Sequence, residues 1–232
     1  MLKCGMANFH VIIPAAGSGT RMGVSAPKQY LTLDGQALIQ HVIRVFDQSP
    51  HIRSIHVILS EQDAHWRNAY LNASNKANVH YCGGETRAET VLNGLNAMQD
   101  SVAEDDWILV HDAARPGLTN RLLTQLISSL QDDEVGGLLA LPLADTLKMS
   151  DAESRVAKTI PRDQLWQAQT PQMFKYATLK RALESFNGSP TDEAEAIEAL
   201  GLKPKLVTGE LRNLKVTYPQ DLAVLSALFN VN

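Results

Sequence analysis

Arg21 and Lys28 stand in IIPAAGSGTRMGVSAPKQYL, residues 12–31, where an apolar run gives way to a stretch carrying Gly17, Gly19 and Gly23. Glycine lets main-chain N–H groups close on a ligand, and the turn that follows directs partial positive charge at it, so such a loop after a first strand reads as an anion cradle. The spacing narrows the anion. Met22 occupies the place of the last glycine in G-x-G-x-x-G, and no GK[ST] follows, which weakens both the dinucleotide and the P-loop readings. What remains is a row of main-chain donors from residues 15 to 19 followed by two cations, an arrangement suited to a triphosphate. At about 4 Å and an effective dielectric near 20, one cation attracts one unit of phosphate charge by roughly 4 kcal/mol before desolvation, so the pair could offset much of the charge on a phosphorus under attack. The alternative is two solvated surface cations; the glycine context argues against it.

Other residues able to do chemistry sit at the ends of apolar runs. In HYCGGETRAETV, Gly83, Gly84, Glu85 and Thr90 lie where a strand hands over to a helix, the carboxyl edge at which open α/β sheets bind nucleotides. Glu85 could equally favour a helix N-terminus. Asp112 and Arg115 follow WILV, and Asp112 reads either as a cap of the next turn or as a ligand or Mg²⁺ contact. The seven histidines are scattered with no HExxH pair, so a protein-held zinc is not expected. Cys4 and Cys82 lack CxxC spacing and read as a surface thiol and a small strand residue, not a disulfide.

The elements that must position these residues follow from pattern. With 232 residues, 44% hydrophobic, 20% charged and a net charge of -4, the chain reads as one soluble domain with an excursion, and it lacks the basic excess of a general nucleic-acid binder. No apolar run approaches the roughly 20 residues of a membrane helix. Too few residues precede the first strand for a signal or transit peptide, so a cytoplasmic location is expected. Strand-like runs at 10–15, 54–60, 78–82, 106–112 and 135–142 alternate with helical faces formed by Leu38, Ile39, Val42, Ile43 and Phe46 and by Val91, Leu92, Leu95 and Met98. Alternation of this kind predicts a doubly wound α/β fold with a mostly parallel, Rossmann-like sheet. Residues 143–168 break the pattern: TLKM and RVAKTI flank a polar SDAES turn and predict a protruding β-arm. Two strands alone are marginal in water, so the arm is expected to pack on another subunit as a dimerisation arm. Helical sequence returns near 176–186 and 192–200, the latter opened by Thr191-Asp192 and closed by Gly201, and KLVTG, LKVTY and a helix from Pro219 complete the chain. Trp166, Phe174 and the last helix's leucines read as core or interface packing.

The motif PAAGSGTRMGVSAPKQYL resembles the amino-terminal signature of the 2-C-methyl-D-erythritol 4-phosphate cytidylyltransferases, and GGETRAETV, VHDAARP, PLADTLK, LWQAQTPQMF, TDEA and NLKVT resemble that family's later motifs in the same order. The resemblance spans about residues 10–225. The first motif marks the wider sugar-phosphate nucleotidyltransferase group, while HDAARP, DT and QTPQ together are specific. It implies transfer of CMP from CTP to methylerythritol phosphate with release of pyrophosphate, Mg²⁺ as a cofactor held mainly by the CTP phosphates, and a homodimer.

Carried onto this sequence, the resemblance makes Arg21 and Lys28 the catalytic pair. It assigns nucleotide binding to Pro14, Ala15, Ala16, Gly17, Ser18, Gly19, Gly83, Gly84, Glu85, Arg87, Thr90, Asp112, Ala113 and Lys215, with cytosine read by main-chain groups and a hydroxyl. Asp112, Arg115, Thr146, Arg162, Thr170 and Lys215 would bind the second substrate, Arg162 from the partner subunit. Asp145, beside Thr146, reads equally as a turn opener. Three rivals stay open: a cytidylyltransferase for another polyol phosphate such as ribitol 5-phosphate; a dinucleotide reductase, disfavoured because Ser60 stands where an acidic residue should end the second strand; and a non-catalytic nucleotide-binding module.

Overall fold

The computed structural model describes residues 7–17, 27–71 and 74–229. Its first strand, β1 (Phe9–Pro14), is rich in β-branched residues and buries Val11, Ile12 and Ile13 completely. Burial on both faces demands a layer of helices on each side. Four further segments run parallel around it: β4 (Ile52–Leu59) and then β5 (Ala77–Tyr81) on one side, β6 (Trp107–Val110) on the other, with β7 (Gly136–Pro142) beyond, itself paired in parallel with β11 (Lys205–Thr208). Between β6 and β7 lies β10 (Trp166–Lys175), antiparallel to both, which completes a seven-stranded sheet ordered β11-β7-β10-β6-β1-β4-β5.

Alternation along β1 sorts its side chains onto two cores. Val11 and Ile13 face α1 (Leu38–Gln48) and α3 (Asn120–Leu130), where Ile39, Val42, Ile43 and Phe46 meet Leu122, Leu123, Leu126 and Ile127. Ile12 faces the opposite layer of α2 (Arg87–Ala97), α4 (Tyr176–Ser185) and α5 (Glu193–Ala199), with Ile58, Val91, Leu95, Leu179 and Ile197. Each such side chain taken fully from water stabilises the fold by about 1.5–3 kcal/mol. The doubly wound, mostly parallel sheet is therefore as expected. A two-residue ribbon, β2 (Thr32–Leu33) with β3 (Gln36–Ala37), precedes α1, and α6 (Pro219–Phe229) ends the described chain.

Helix ends follow their side chains. Thr86, Thr119 and Asp192 cap α2, α3 and α5 by accepting from the N–H of Glu89, Leu122 and Glu195. Gly201 closes the region of α5 at φ 79°, a left-handed conformation that glycine adopts without strain.

The arm is a hairpin of β8 (Leu147–Ser150) and β9 (Val156–Ile160) in a sheet of its own, with Asp151 Oδ1 accepting from the N–H of Glu153 and Arg155 across the turn. It lies inside the expected 143–168, but its edge differs: Trp166, Gln167 and Ala168 already pair with β7 in the main sheet. LWQAQTPQMF carries no strand-like alternation, and its place between β6 and β7 is set by those neighbours. Phe174 is fully buried, as expected of packing, while Trp166 is exposed. Residues 214–218 run as irregular chain, held where Val216 N–H donates to the Ala114 carbonyl (2.8 Å). Cys82 is a half-buried free thiol just past β5, raised above its ordinary pKa by burial and then by Glu61; Cys4 lies outside the described residues.

Candidate active site

The carboxyl ends of β1, β5 and β6 open onto one cleft of about 490 Å³. Pro14, Ala15, Ala16 and Gly17 form one wall as the chain leaves β1, Gly84 to Arg87 form another at the start of α2, and Asp112 and Ala113 form the floor past β6. Lys28 and Lys215 also line it. Ser18, Gly19 and Arg21 belong to the 18–26 segment, which lies outside the described residues.

Lys28 opens a 3-10 turn, Lys28–Tyr30, that is tied down at two points. Gln29 is buried and its Nε2 donates to the Ala15 carbonyl at 2.7 Å, joining the two ends of the glycine loop. Tyr30 donates its hydroxyl to Asp63 Oδ2 at 2.6 Å, and burial followed by that carboxylate pushes its pKa upward. The glycine walls also have steric causes. The Gly83 N–H donates to the Leu59 carbonyl (2.7 Å), and a Cβ at 83 would stand 2.3 Å from the Ala16 Cβ. Gly83 thus sits behind the wall and lets the two loops touch. Thr90 is buried, with its Oγ1 accepting from Gly84 N–H (3.1 Å) and donating to the Thr86 carbonyl (2.9 Å), so its hydroxyl shapes the loop. Glu85 is exposed at the mouth, its N–H donated to Glu89 Oε2.

Asp112 is the electrostatic centre. Its Oδ1 accepts from Arg87 Nε at 3.0 Å, and its Oδ2 meets Lys215 Nζ at 2.9 Å and Arg115 Nε at 3.3 Å. Burial alone would raise its pKa, yet the charges of Arg87, Lys215 and Arg115 hold it well below the usual carboxylate range. Burial draws the Arg115 guanidinium down, opposed by Asp112, and Arg115 also donates to the carbonyl of Asn213 (2.8 Å). Beneath Asp112, its N–H donates to Thr170 Oγ1 (3.0 Å), and Thr170 lies 3.0 Å from His111 Nδ1. His111 Nε2 lies 3.1 Å from the Arg115 carbonyl and must donate there, so Nδ1 accepts from Thr170. Burial lowers His111 to about 4, which keeps that tautomer neutral.

Among the expected residues the fold therefore brings Pro14 to Gly17, Lys28, Gly84, Glu85, Arg87, Thr90, Asp112, Ala113 and Lys215 to one cleft. Thr170 is buried behind Asp112 with its hydroxyl engaged, and Arg115 reaches the cleft through Asp112. Thr146 and Arg162 are exposed at the base of the arm, outside the cleft lining of this single chain; Arg162 donates to the Ala144 carbonyl. Sequence reasoning did not single out Gln29, Thr86, Ala114 and Thr217, which also line the cleft, or the buried Glu193, which pairs with Arg87. PKQYL and TDEA flagged the neighbourhoods of Gln29 and Glu193, but neither stretch says where its side chain points.

A glycine-walled cleft with lysines at its rim, at the carboxyl edge of an open, mostly parallel sheet, defines the class of α/β nucleotidyltransferases. The family model described as IspD, 2-C-methyl-D-erythritol 4-phosphate cytidylyltransferase, matches residues 9–230, and the chain belongs to that family. It is similar to the 2-C-methyl-D-erythritol 4-phosphate cytidylyltransferase of Nitrosospira multiformis, 57% identical over 94% of this chain and 96% of the relative. Its likeness to that of Azoarcus sp. is 53% over 97% of each. Among solved structures it matches a 4-diphosphocytidyl-2C-methyl-D-erythritol synthase at TM-score 0.86 and 38% identity, over 97% of this chain and 99% of that one. The Thermus thermophilus 2-C-methyl-D-erythritol 4-phosphate cytidylyltransferase matches at TM-score 0.76 and 28% identity, over 95% and 98%.

Proposed function

We propose that this protein transfers the CMP moiety of CTP to 2-C-methyl-D-erythritol 4-phosphate, releasing pyrophosphate and forming 4-diphosphocytidyl-2-C-methyl-D-erythritol for isoprenoid precursor synthesis. The observation that carries the reading is the convergence of Pro14 to Gly17, Lys28, Gly84 to Arg87 and Lys215 on one cleft in a chain matched to the family over residues 9–230. An oxygen of the substrate phosphate attacks the α-phosphorus of CTP, a new P–O bond forms in line, and the bond to the β-phosphate breaks. A phosphate monoester with a second pKa near 6 is already mostly dianionic at pH 7, so no general base is needed. The work of the chain is alignment and charge stabilisation.

The Ala15 N–H, expected from sequence to be a ligand donor, is spent on the Ile58 carbonyl (2.8 Å), so the main-chain donors offered to the triphosphate begin at Ala16 and Gly17, beside the Lys28 ammonium, with Arg21 assigned to the same task. Loss of Lys28 is expected to lower kcat by on the order of 10²-fold. Lys215, anchored at Asp112, would meet the second substrate's anion from the opposite side. Both oxygens of Asp112 are engaged by cations, so the carboxylate at the cleft floor is committed, which fits Mg²⁺ carried mainly by CTP phosphate oxygens and water. When bound, that ion would neutralise charge on the departing pyrophosphate.

The exposed Met149 and Val156 of the arm support a homodimer in which the hairpin docks on the partner and brings Arg162 to the second substrate. The deciding assay is pyrophosphate release from CTP with methylerythritol phosphate, beside ribitol 5-phosphate; release with neither, or only with the latter, overturns the reading. Mixing Arg162→Ala chains with Lys28→Ala chains tests the shared site: partial recovery of activity is expected, and none refutes it.

A further inference from the structure

We propose that Glu193 is a positioning residue of this site: it holds the Arg87 guanidinium against Asp112 and away from bound phosphates, so that pyrophosphate can leave. This deepens the phosphate-binding reading of the cleft and rests on it. Arg87 lines the cleft, with its side chain 26% exposed. A planar guanidinium beside a polyanion would ordinarily grip it bidentately. Here the fork is taken: Nη1 and Nη2 donate to Glu193 Oε1 and Oε2 at 2.6 and 3.0 Å, and Nε donates to Asp112 at 3.0 Å.

Glu193 is itself fixed. Its side chain is 1% exposed, in the first turn of α5, and that turn is bolted to β10 on both sides. Gln172 donates from Nε2 to Asp192 Oδ2 (2.9 Å) and accepts at Oε1 from the Ala194 N–H (2.8 Å). The carboxylate therefore cannot follow Arg87 toward a ligand. A buried strut for stability alone could have been apolar. Ending instead on a cationic fork at the cleft wall, this one sets how much positive charge the triphosphate meets.

The test is Glu193→Gln, which keeps the shape but removes the charge and one acceptor. Pyrophosphate and CTP are titrated calorimetrically in Mg²⁺ buffer, and steady-state rates are measured with both substrates. The released guanidinium is expected to tighten pyrophosphate binding about tenfold, lower KM for CTP and lower kcat. Adding Arg87→Met should abolish the tightening. Should Glu193→Gln not fold, Glu193→Asp, which withdraws the carboxylate by one methylene, is expected to shift pyrophosphate affinity in the same direction by about threefold. Unchanged or weaker pyrophosphate binding in a folded variant, or tightening that survives Arg87→Met, overturns the proposal. A wild-type protein that binds neither CTP nor pyrophosphate overturns the reading of the cleft instead.

Discussion

Replacing Asp112 by Asn is the sharpest test of the electrostatic centre, because the shape is kept and one charge is removed from among three cations. The carboxylate meets Arg87, Arg115 and Lys215 at 3.0, 3.3 and 2.9 Å. At an effective dielectric near 20, each contact is worth on the order of 5 kcal/mol gross. Most of that offsets the desolvation of the groups, and Lys215, 34% exposed, is further screened. The net cost of removing one partner from a buried cluster is about 3–5 kcal/mol. For a chain of this size, about 2–4 °C per kcal/mol translates this into a Tm lower by roughly 6–20 °C. Asp112 has a folded pKa below its unfolded value, so its stabilisation is present above about 3.9 and lost only as pH falls through the lower folded value. The Tm difference between the two proteins should therefore be constant from about pH 5 to 7.5. Calorimetric unfolding across that range is the assay. A drop under about 2 °C, or a difference that grows with pH, would refute the reasoning.

The glycine walls make a paired prediction. Gly83→Ala forces a Cβ against Ala16 and the Leu59 carbonyl and should cost about 1–3 kcal/mol and weaken CTP binding, whereas Gly17→Ala, with open space around it, should leave Tm unchanged. Gln29→Met removes the 2.7 Å tie to Ala15 and should cost about 1–3 kcal/mol while lowering kcat for CTP turnover, since Lys28 is the next residue; an unaltered kcat would show that the tie does not hold the lysine. The pH dependence should follow the five histidines that burial lowers, His10, His41, His56, His80 and His111, with the largest shifts at two of them. His56, hydrogen-bonded to Ser54 and His80, is lowered to about 4 by burial and then by the nearby histidines His80 and His10, and His111 is lowered to about 4. Both are neutral in the fold, so their stability is full above about 6.5, shrinks as pH falls from there, and is exhausted below about 4, at up to ~1.4 kcal/mol per pH unit each. Urea unfolding from pH 7.5 to 4.5 should show that slope, and His56→Gln should make it shallower without abolishing it, since His10, His41, His80 and His111 remain lowered.

Much of the fold was legible because its signals are local. The apolar runs that become β1, β6, β7 and the second half of β4 have almost no polar face to spare, and Leu38, Ile39, Val42, Ile43 and Phe46 repeat at helical spacing, so burial by helices on both sides follows from composition within a dozen residues, whereas the edge strand β5 is only partly covered. The polar turn of the arm and the cap at Asp192 are local in the same sense. β10 escaped that logic. Its first three residues are exposed and its last seven nearly all buried, a pattern imposed by β6 and β7, and by nothing in its own alternation.

The site divides along the same line. Glycines after a first strand, and the cations that follow them, announce an anion cradle wherever they occur, and the order of motifs carried the family. What residue order could not supply was which charges meet. Arg87 and Glu193 are 106 positions apart, and Thr170 looks like a ligand until its hydroxyl is found between Asp112 and His111. An ion pair depends on a few tenths of an ångström and on how much water is excluded, and both are properties of packed layers. The sequence by itself determined the elements and the chemistry available to them; the packing of α2, α5 and β10 decided which carboxylate holds which cation and which are left to face a substrate.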